Sequence, residues 1–384
     1  MNFGFSPTEA AWRDELAAFV DTFGAEDHAA LRAEARALDT ERHAPSFYAA
    51  LAERGWVGVG WPVDGVRDAT PTERFILHEQ LDSAGLPMYG VEINEAIGWM
   101  LVRNGPAELA AEHLPHICDG SWSYAGGYSE PEAGSDMFGL RTRAVRHGDR
   151  YVVDGAKLWT SGAHLADWIF ALVRTDAAAT GADGLSMLLV DVHAPGVEIR
   201  PVRVVGGWRV NACYFDGVEV PVSNRVGREA AGAQIVGTAL DTERAMSFGG
   251  RESRLLLARY LGTMTGSTDD GPEASLVTLG RLVARLEVER LVNLRTSAML
   301  DRGAVAGPEA SMDKVLSSEL AQETARFVAE QLGPDAQLAE PGAPLAAAAE
   351  EAVRVSTVLP IIGGTNEIQR NVIATRGLGL PRGA

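Results

Sequence analysis

The sequence predicts a mainly α protein of the α+β class, built in the order helices, β domain, helical bundle. Three observations predict it. Helix-start signals and a 3.6-residue apolar period dominate roughly the first third. Short apolar or alternating runs separated by turn residues fill the middle. From about Ala231 the helical period returns and persists to the end. The expected parts are 1–120, helical; 121–230, a β-barrel or antiparallel β domain; and 231–384, a four-helix bundle. With 384 residues, 46% of them hydrophobic, the chain can bury cores in two or three domains.

The elements follow in order. Ser6-Pro7-Thr8-Glu9 is a capping box with proline in the first helical turn, and Thr70-Pro71-Thr72-Glu73 repeats it. The pattern also predicts helices over 46–55, 92–104 and 107–118. Leu140 to Asp154 alternates around Gly148 as a hairpin. Runs at Trp168 and Ser186 read as buried strands, and further strands begin at Val197 and Ala212. Helical patterns then span 233–263, 273–302, 309–332, 345–358 and 366–376. Gly-Pro-Glu-Ala-Ser occurs at 271–275 and again at 307–311. It reads as a reused helix start, not a repeat architecture.

Composition excludes several functions. The net charge is −18, from 34 basic and 52 acidic residues, and no basic run occurs. Nucleic acid and anionic membranes are therefore not expected partners. No uncharged apolar run approaches the ~20 residues of a membrane span. Cys118 and Cys213 form no framework, and the N-terminus lacks a basic and an apolar signal region, so a cytoplasmic setting is expected. Eight scattered histidines show no ligand spacing, and no metal is expected.

Three segments point to chemistry. In the tail, Gly363-Gly364-Thr365 runs into a helix opening with Asn366 and Glu367. Backbone N–H groups beside a helix N-terminus suit a phosphate or another acceptor-rich ligand, although a plain helix cap reads the same way. The stretch 127–136 carries Tyr128, Ser129 and Ser135 around a Pro- and Gly-containing turn. It is either a cleft-lining loop or a domain joint. In 157–168, Trp159, Thr160 and Ser161 could cover a flat ring and donate to its edge; alternatively the tryptophan belongs to a core.

Together these three stretches resemble the acyl-CoA dehydrogenase family of flavoproteins, in order and spacing, over nearly the whole chain. The resemblance implies an N-terminal helical domain, a central β-barrel and a C-terminal four-helix bundle. It implies an FAD enzyme that moves the α-proton of an acyl-CoA to a base and the β-hydride to flavin N5. Tyr128 and Ser129 correspond to contacts with the flavin's pyrimidine edge, and Trp159 to the indole packed by the ring. Ser161 matches the hydroxyl at N5, and Thr365 and Glu367 match tail contacts to FAD. Ser135, Asp241 and Arg244 match positions along the CoA thioester. Implied partners are acyl-CoA, an electron-transferring flavoprotein or similar acceptor, and other subunits in a dimer or tetramer.

The sequence departs from the family in two places. Many members carry the catalytic glutamate where this chain has Gly363. A second subgroup carries it on a bundle helix, and the match here is Leu240-Asp241-Thr242-Glu243-Arg244, making Glu243 the candidate base. The alternative for Glu243 is a solvated helix residue. The family's Arg-x-x-Phe-Gly segment, which holds the FAD diphosphate, is absent between Arg259 and Arg281, where Asp269 and Asp270 stand instead. The adenosine turn is degraded to Gln331-Leu-Gly-Pro-Asp-Ala-Gln. A half-site or non-catalytic subunit paired with an unlike dehydrogenase chain is therefore a second reading. A relative acting on a carrier-protein thioester, or oxygenating its substrate, is a third. Room at Gly363 suits bulky acyl groups such as those of steroid or specialised metabolism.

Overall fold

The computed structural model describes residues 4–40, 43–237, 250–264, 273–304, 306–338 and 343–381. Six helices come first: α1 Pro7–Val20, α2 Ala25–Ala37, α3 Pro45–Ala52, α4 Pro71–Ser83, α5 Tyr89–Asn104 and α6 Ala107–Cys118. Both capping boxes form. The Glu9 N–H donates to Ser6 Oγ at 3.3 Å while Glu9 Oε2 accepts from the Ser6 N–H at 2.6 Å. The Glu73 N–H donates to Thr70 Oγ1 at 3.1 Å, with the reciprocal bond at 2.9 Å. The core of this part is aromatic: Trp12 and Phe19 each meet Trp56 edge-on at 5.1 Å.

The middle holds eight strands: β1 Tyr124–Gly127, β2 Arg143–His147, β3 Arg150–Lys157, β4 Trp168–Arg174, β5 Leu185–Asp191, β6 Val197–Arg203, β7 Arg209–Pro221 and β8 Arg225–Val226. They pair in the order β6-β7-β3-β2-β4-β5-β8, with β1 beside β4. The β2–β3 hairpin turns at Gly148 as expected. The sheet is mixed, not purely antiparallel, because β1 runs parallel to β4 from Tyr124↔Trp168 to Gly127↔Ala171. Parallel neighbours need a long connection, and the β2–β3 excursion supplies it. The β3–β7 register shifts between Val153 and Gly155, with the extra residue on β7. Gly155 sits at φ +147°, and a Cβ there would come within 2.7 Å of Thr142 Cα.

Apart from Arg174, Ser186 and Asp191, β4 and β5 are apolar because both faces are covered. Phe170, Leu172, Leu185, Met187 and Leu189 pack with the N-terminal helices. Their alternates Ile169, Ala171, Val173, Leu188 and Val190 pack in the sheet's own core. Period-two alternation thus assigns each residue to one of two cores.

The C-terminal part contains α7 Arg251–Met264, α8 Glu273–Leu300, α9 Gly307–Leu332, α10 Pro344–Ser356 and α11 Asn366–Val372, the last followed by a π turn over Ile373–Gly377. A further helical stretch covers 232–237. Leucines 256, 257, 279, 282, 286 and 320 with Phe327 and Val328 form the bundle core. Inside it, Glu289 and Asp313 are at most 1% exposed and face each other, with Arg254 on Glu289 at 2.7 Å. Burial raises both carboxyl pKa values; the Glu289 charge adds to the rise at Asp313, while Arg254 opposes the rise at both.

A carboxyl whose pKa rises on folding favours the folded state at low pH, and that contribution is lost as pH climbs through the folded value. Asp313→Asn keeps the shape and removes one titration. Between about pH 4 and pH 7 the melting temperature of the wild type is expected to fall relative to this variant. A thermal melt series across pH checks it.

Candidate functional site

Lys157, the last residue of β3, is completely buried. Its ammonium donates to Glu130 Oε1 at 2.8 Å and to the Tyr128 carbonyl at 3.2 Å. Glu130 also accepts the N–H groups of Arg141 at 2.7 Å and Thr142 at 2.9 Å. One carboxylate therefore fixes both ends of the loop 130–141 and the end of β3, from which the Trp159 loop departs. Burial alone would raise the Glu130 pKa, but the Lys157 charge and these hydrogen bonds outweigh it and lower the value. Burial lowers Lys157 to about 8 against the pull of Glu130. Both groups are charged at neutral pH.

Above this pair the two candidate loops lie side by side. The Leu158 N–H donates to the Ser129 carbonyl at 2.9 Å. On the other side Thr160 and Asn211 exchange backbone hydrogen bonds at 3.0 and 3.1 Å, and Asn211 Nδ2 adds a third to the Thr160 carbonyl at 3.0 Å. Clamped between them, Trp159 takes φ +66°, a conformation that costs a bulky residue about 1–3 kcal/mol. Its indole is 53% exposed, although large aromatics usually bury. Tyr128, Ser129 and Ser161 around it are half-buried. An apolar indole face with hydroxyls at its margin fits a flat heteroaromatic ring bearing polar edges.

The tail turn is built differently. Gly363 and Gly364 take φ +63° and +85°. Gln369, fully buried, donates Nε2 to both their carbonyls at 3.2 and 3.1 Å and accepts Ser311 Oγ from α9 at 2.9 Å. Asn366 Oδ1 accepts Lys314 Nζ at 2.7 Å and Ser318 Oγ at 3.0 Å. The Thr365 hydroxyl caps α11 by accepting from the Ile368 N–H at 3.3 Å. Glu367 is exposed; hydrogen bonds from its own backbone N–H and from Thr365 lower its pKa. An acid in this first turn suits the helix dipole.

The two halves meet through the β6–β7 loop. Trp208 packs on Ala321, Val355 and Leu359, and Arg354 Nη1 donates to the Val205 carbonyl at 3.1 Å. The strand that follows begins two residues before Asn211. One short segment thus links the Trp159 clamp to the helix leading into the tail turn.

The structure gathers Tyr128, Ser129, Trp159 and Ser161 in one place. Ser135 lies on the exposed part of the same loop. Gly363, Thr365 and Glu367 lie together on the tail turn against α9. Asp241, Glu243 and Arg244 fall outside the described residues, as do Asp269 and Asp270. Sequence reasoning assigned no role to Glu130, Lys157, Asn211, Lys314 or Gln369. One signal was available: the chain has only two lysines, Lys157 and Lys314. Both are fully buried, one under each candidate loop.

Comparison with known proteins covers the whole chain. Residues 6–121, 125–218 and 231–378 match the acyl-CoA dehydrogenase N-terminal, middle and C-terminal domains. Acyl-CoA dehydrogenase FadE26 of Mycobacterium tuberculosis is 34% identical over 100% of this chain and 99% of its own. FadE29 of the same organism is 33% identical, covering 90% of this chain and 91% of its own. A solved "Tcur3481-Tcur3483 steroid ACAD" superposes with TM-score 0.89 at 33% identity, covering both chains fully. The ChsE4-ChsE5 complex from Mycobacterium tuberculosis gives TM-score 0.86 at 32% identity, again over both full chains.

Glu130→Gln removes a charge from a buried pair and leaves Lys157 uncompensated. It is expected to destabilise the protein by roughly 3–5 kcal/mol in chemical denaturation. In the wild type the Glu130 contribution is present above the ordinary carboxylate range and is lost as pH falls through its lowered folded value. The variant should lack that acid-side loss.

Proposed function

Because the chain belongs to the acyl-CoA dehydrogenase family, we propose that it desaturates a bulky acyl-CoA between Cα and Cβ with FAD. The enzyme class is oxidoreductase, and the family's members are flavoproteins. The observation that carries the cofactor assignment to this chain is the strained, half-exposed Trp159 beside Ser161, with Tyr128 and Ser129 bonded alongside. These four residues would hold the flavin ring, and the Thr365–Glu367 turn would hold a more distal part of the cofactor. When bound, FAD supplies the acceptor for the β-hydride.

Glu243 takes the α-proton onto its carboxylate. Desolvation by the acyl chain keeps that carboxylate basic enough for the task near neutral pH. Asp241, Arg244 and Ser135 bind the thioester and its CoA portion. Gly363, with no side chain, leaves room beside the α-carbon. The "steroid ACAD" title of a full-length structural relative supports a polycyclic or similarly bulky acyl group.

A second reading, a half-site subunit paired with an unlike chain, is favoured by the missing diphosphate segment and by Asp269 and Asp270, whose charge repels a diphosphate. Two relatives whose titles name paired proteins support it. An electron-transferring flavoprotein would reoxidise the enzyme.

Glu243→Gln separates the readings. Measured with FAD and an artificial electron acceptor, turnover should fall by about 10²–10⁴-fold, the usual worth of a positioned base. Unchanged turnover of the assembled enzyme would make this chain non-catalytic. Purified alone, the chain is expected to carry substoichiometric FAD, read from its visible absorbance against protein concentration. A full complement of tightly bound FAD would exclude the half-site reading.

A further inference from the structure

A polar cluster lies between α4 and α5. His78 and Asp82 are four residues apart on α4 and so leave the same helix face. Glu92 and Glu95 come from α5. Glu95 is fully buried; its Oε2 lies 3.0 Å from His78 Nε2, and its Oε1 accepts the Gly58 N–H at 2.8 Å. The other imidazole nitrogen, His78 Nδ1, is buried and makes no hydrogen bond, in a residue only 4% exposed. One ligand atom each from His78, Asp82 and Glu92 lie within 4.8 Å of one another.

An imidazole with one nitrogen on a buried carboxylate, the other unbonded, and two further carboxylates nearby resembles the surroundings of a metal-ligating histidine. We propose that His78, Asp82 and Glu92 ligate a divalent transition-metal ion, with Glu95 orienting the imidazole. The nitrogen donor favours Zn²⁺ or Co²⁺ over Mg²⁺ or Ca²⁺. Three protein ligands leave a position for water. Ligands about 2.0–2.1 Å from a common ion sit roughly 3.4 Å apart, so the widest separation must close by up to roughly 1.4 Å. Arg251 Nη1 already pairs with Asp82 Oδ1 at 3.0 Å. A carboxylate has two oxygens, so that ion pair and ligation are compatible. The ion would clamp α4 to α5 and stabilise the helical part.

The test uses the full chain stripped with EDTA. Co²⁺ is titrated and followed by its visible d–d absorption, and melting is recorded with and without Zn²⁺. One equivalent of Co²⁺ should bind with a defined spectrum, and Zn²⁺ should raise the melting temperature in a concentration-dependent way. His78→Gln should abolish the spectrum. Glu92→Gln, at a half-buried position, should fold and bind at least ~10-fold more weakly. If His78→Gln fails to fold, Glu92→Gln decides alone. A wild type with neither spectrum nor melting shift, or a folded Glu92→Gln that binds as the wild type does, overturns the proposal.

Discussion

The buried ion pair between Lys157 and Glu130 is the constraint on which the candidate site depends. A lysine with no exposed surface loses its hydration, a cost of several kcal/mol that only close partners offset. Glu130 and the Tyr128 carbonyl offset it, and Glu130 in turn requires the N–H groups of Arg141 and Thr142. The loop bearing Tyr128 and Ser129 is thereby locked to the end of β3 and to the loop that follows it with Trp159 and Ser161. A loop joined only by exposed contacts could not hold a tryptophan at positive φ, because relaxation to extended backbone would release the strain.

Lys314 repeats the device on the other side. It is equally buried, and its ammonium meets the side chain of Asn366 in the first turn of the tail helix. An ammonium is a compact point donor that a narrow cavity accepts more readily than a planar guanidinium. The chain uses arginine for every other basic position. Between the two lysines, the loop at 204–208 and Asn211 make a continuous contact path from sheet to bundle.

Much of the fold was legible in the sequence because its signals are local. Ser6-Pro7-Thr8-Glu9 and Thr70-Pro71-Thr72-Glu73 form their boxes within four residues, and Gly148 marks its hairpin. The apolar runs of β4 and β5 announce burial but not which two cores they serve. The parallel pairing of β1 with β4 was not legible, since it joins residues more than forty positions apart. The Lys157–Glu130 pair spans 27 residues, and only the rarity of lysine hinted at it. Trp159 could be named as a site residue by resemblance; its positive φ could not, because nothing in its residue type favours that backbone. The partners of His78 lie on a second helix, where a search for short ligand spacings does not look.

Membership of the acyl-CoA dehydrogenase family sets the reaction class, while the details of this chain narrow it. In the proposed mechanism Gly363 leaves room beside the α-carbon and Glu243 acts as the base. The missing diphosphate segment turns attention to a partner chain. The most direct measurement is the visible spectrum of the protein, supplied with FAD and assembled with any co-purifying subunit, as acyl-CoA thioesters are added without oxygen. Loss of the oxidised flavin band with bulky acyl-CoAs, stoichiometric with bound FAD, is the expected result. A flavin that stays bound and oxidised in the presence of every acyl-CoA tested would contradict the account.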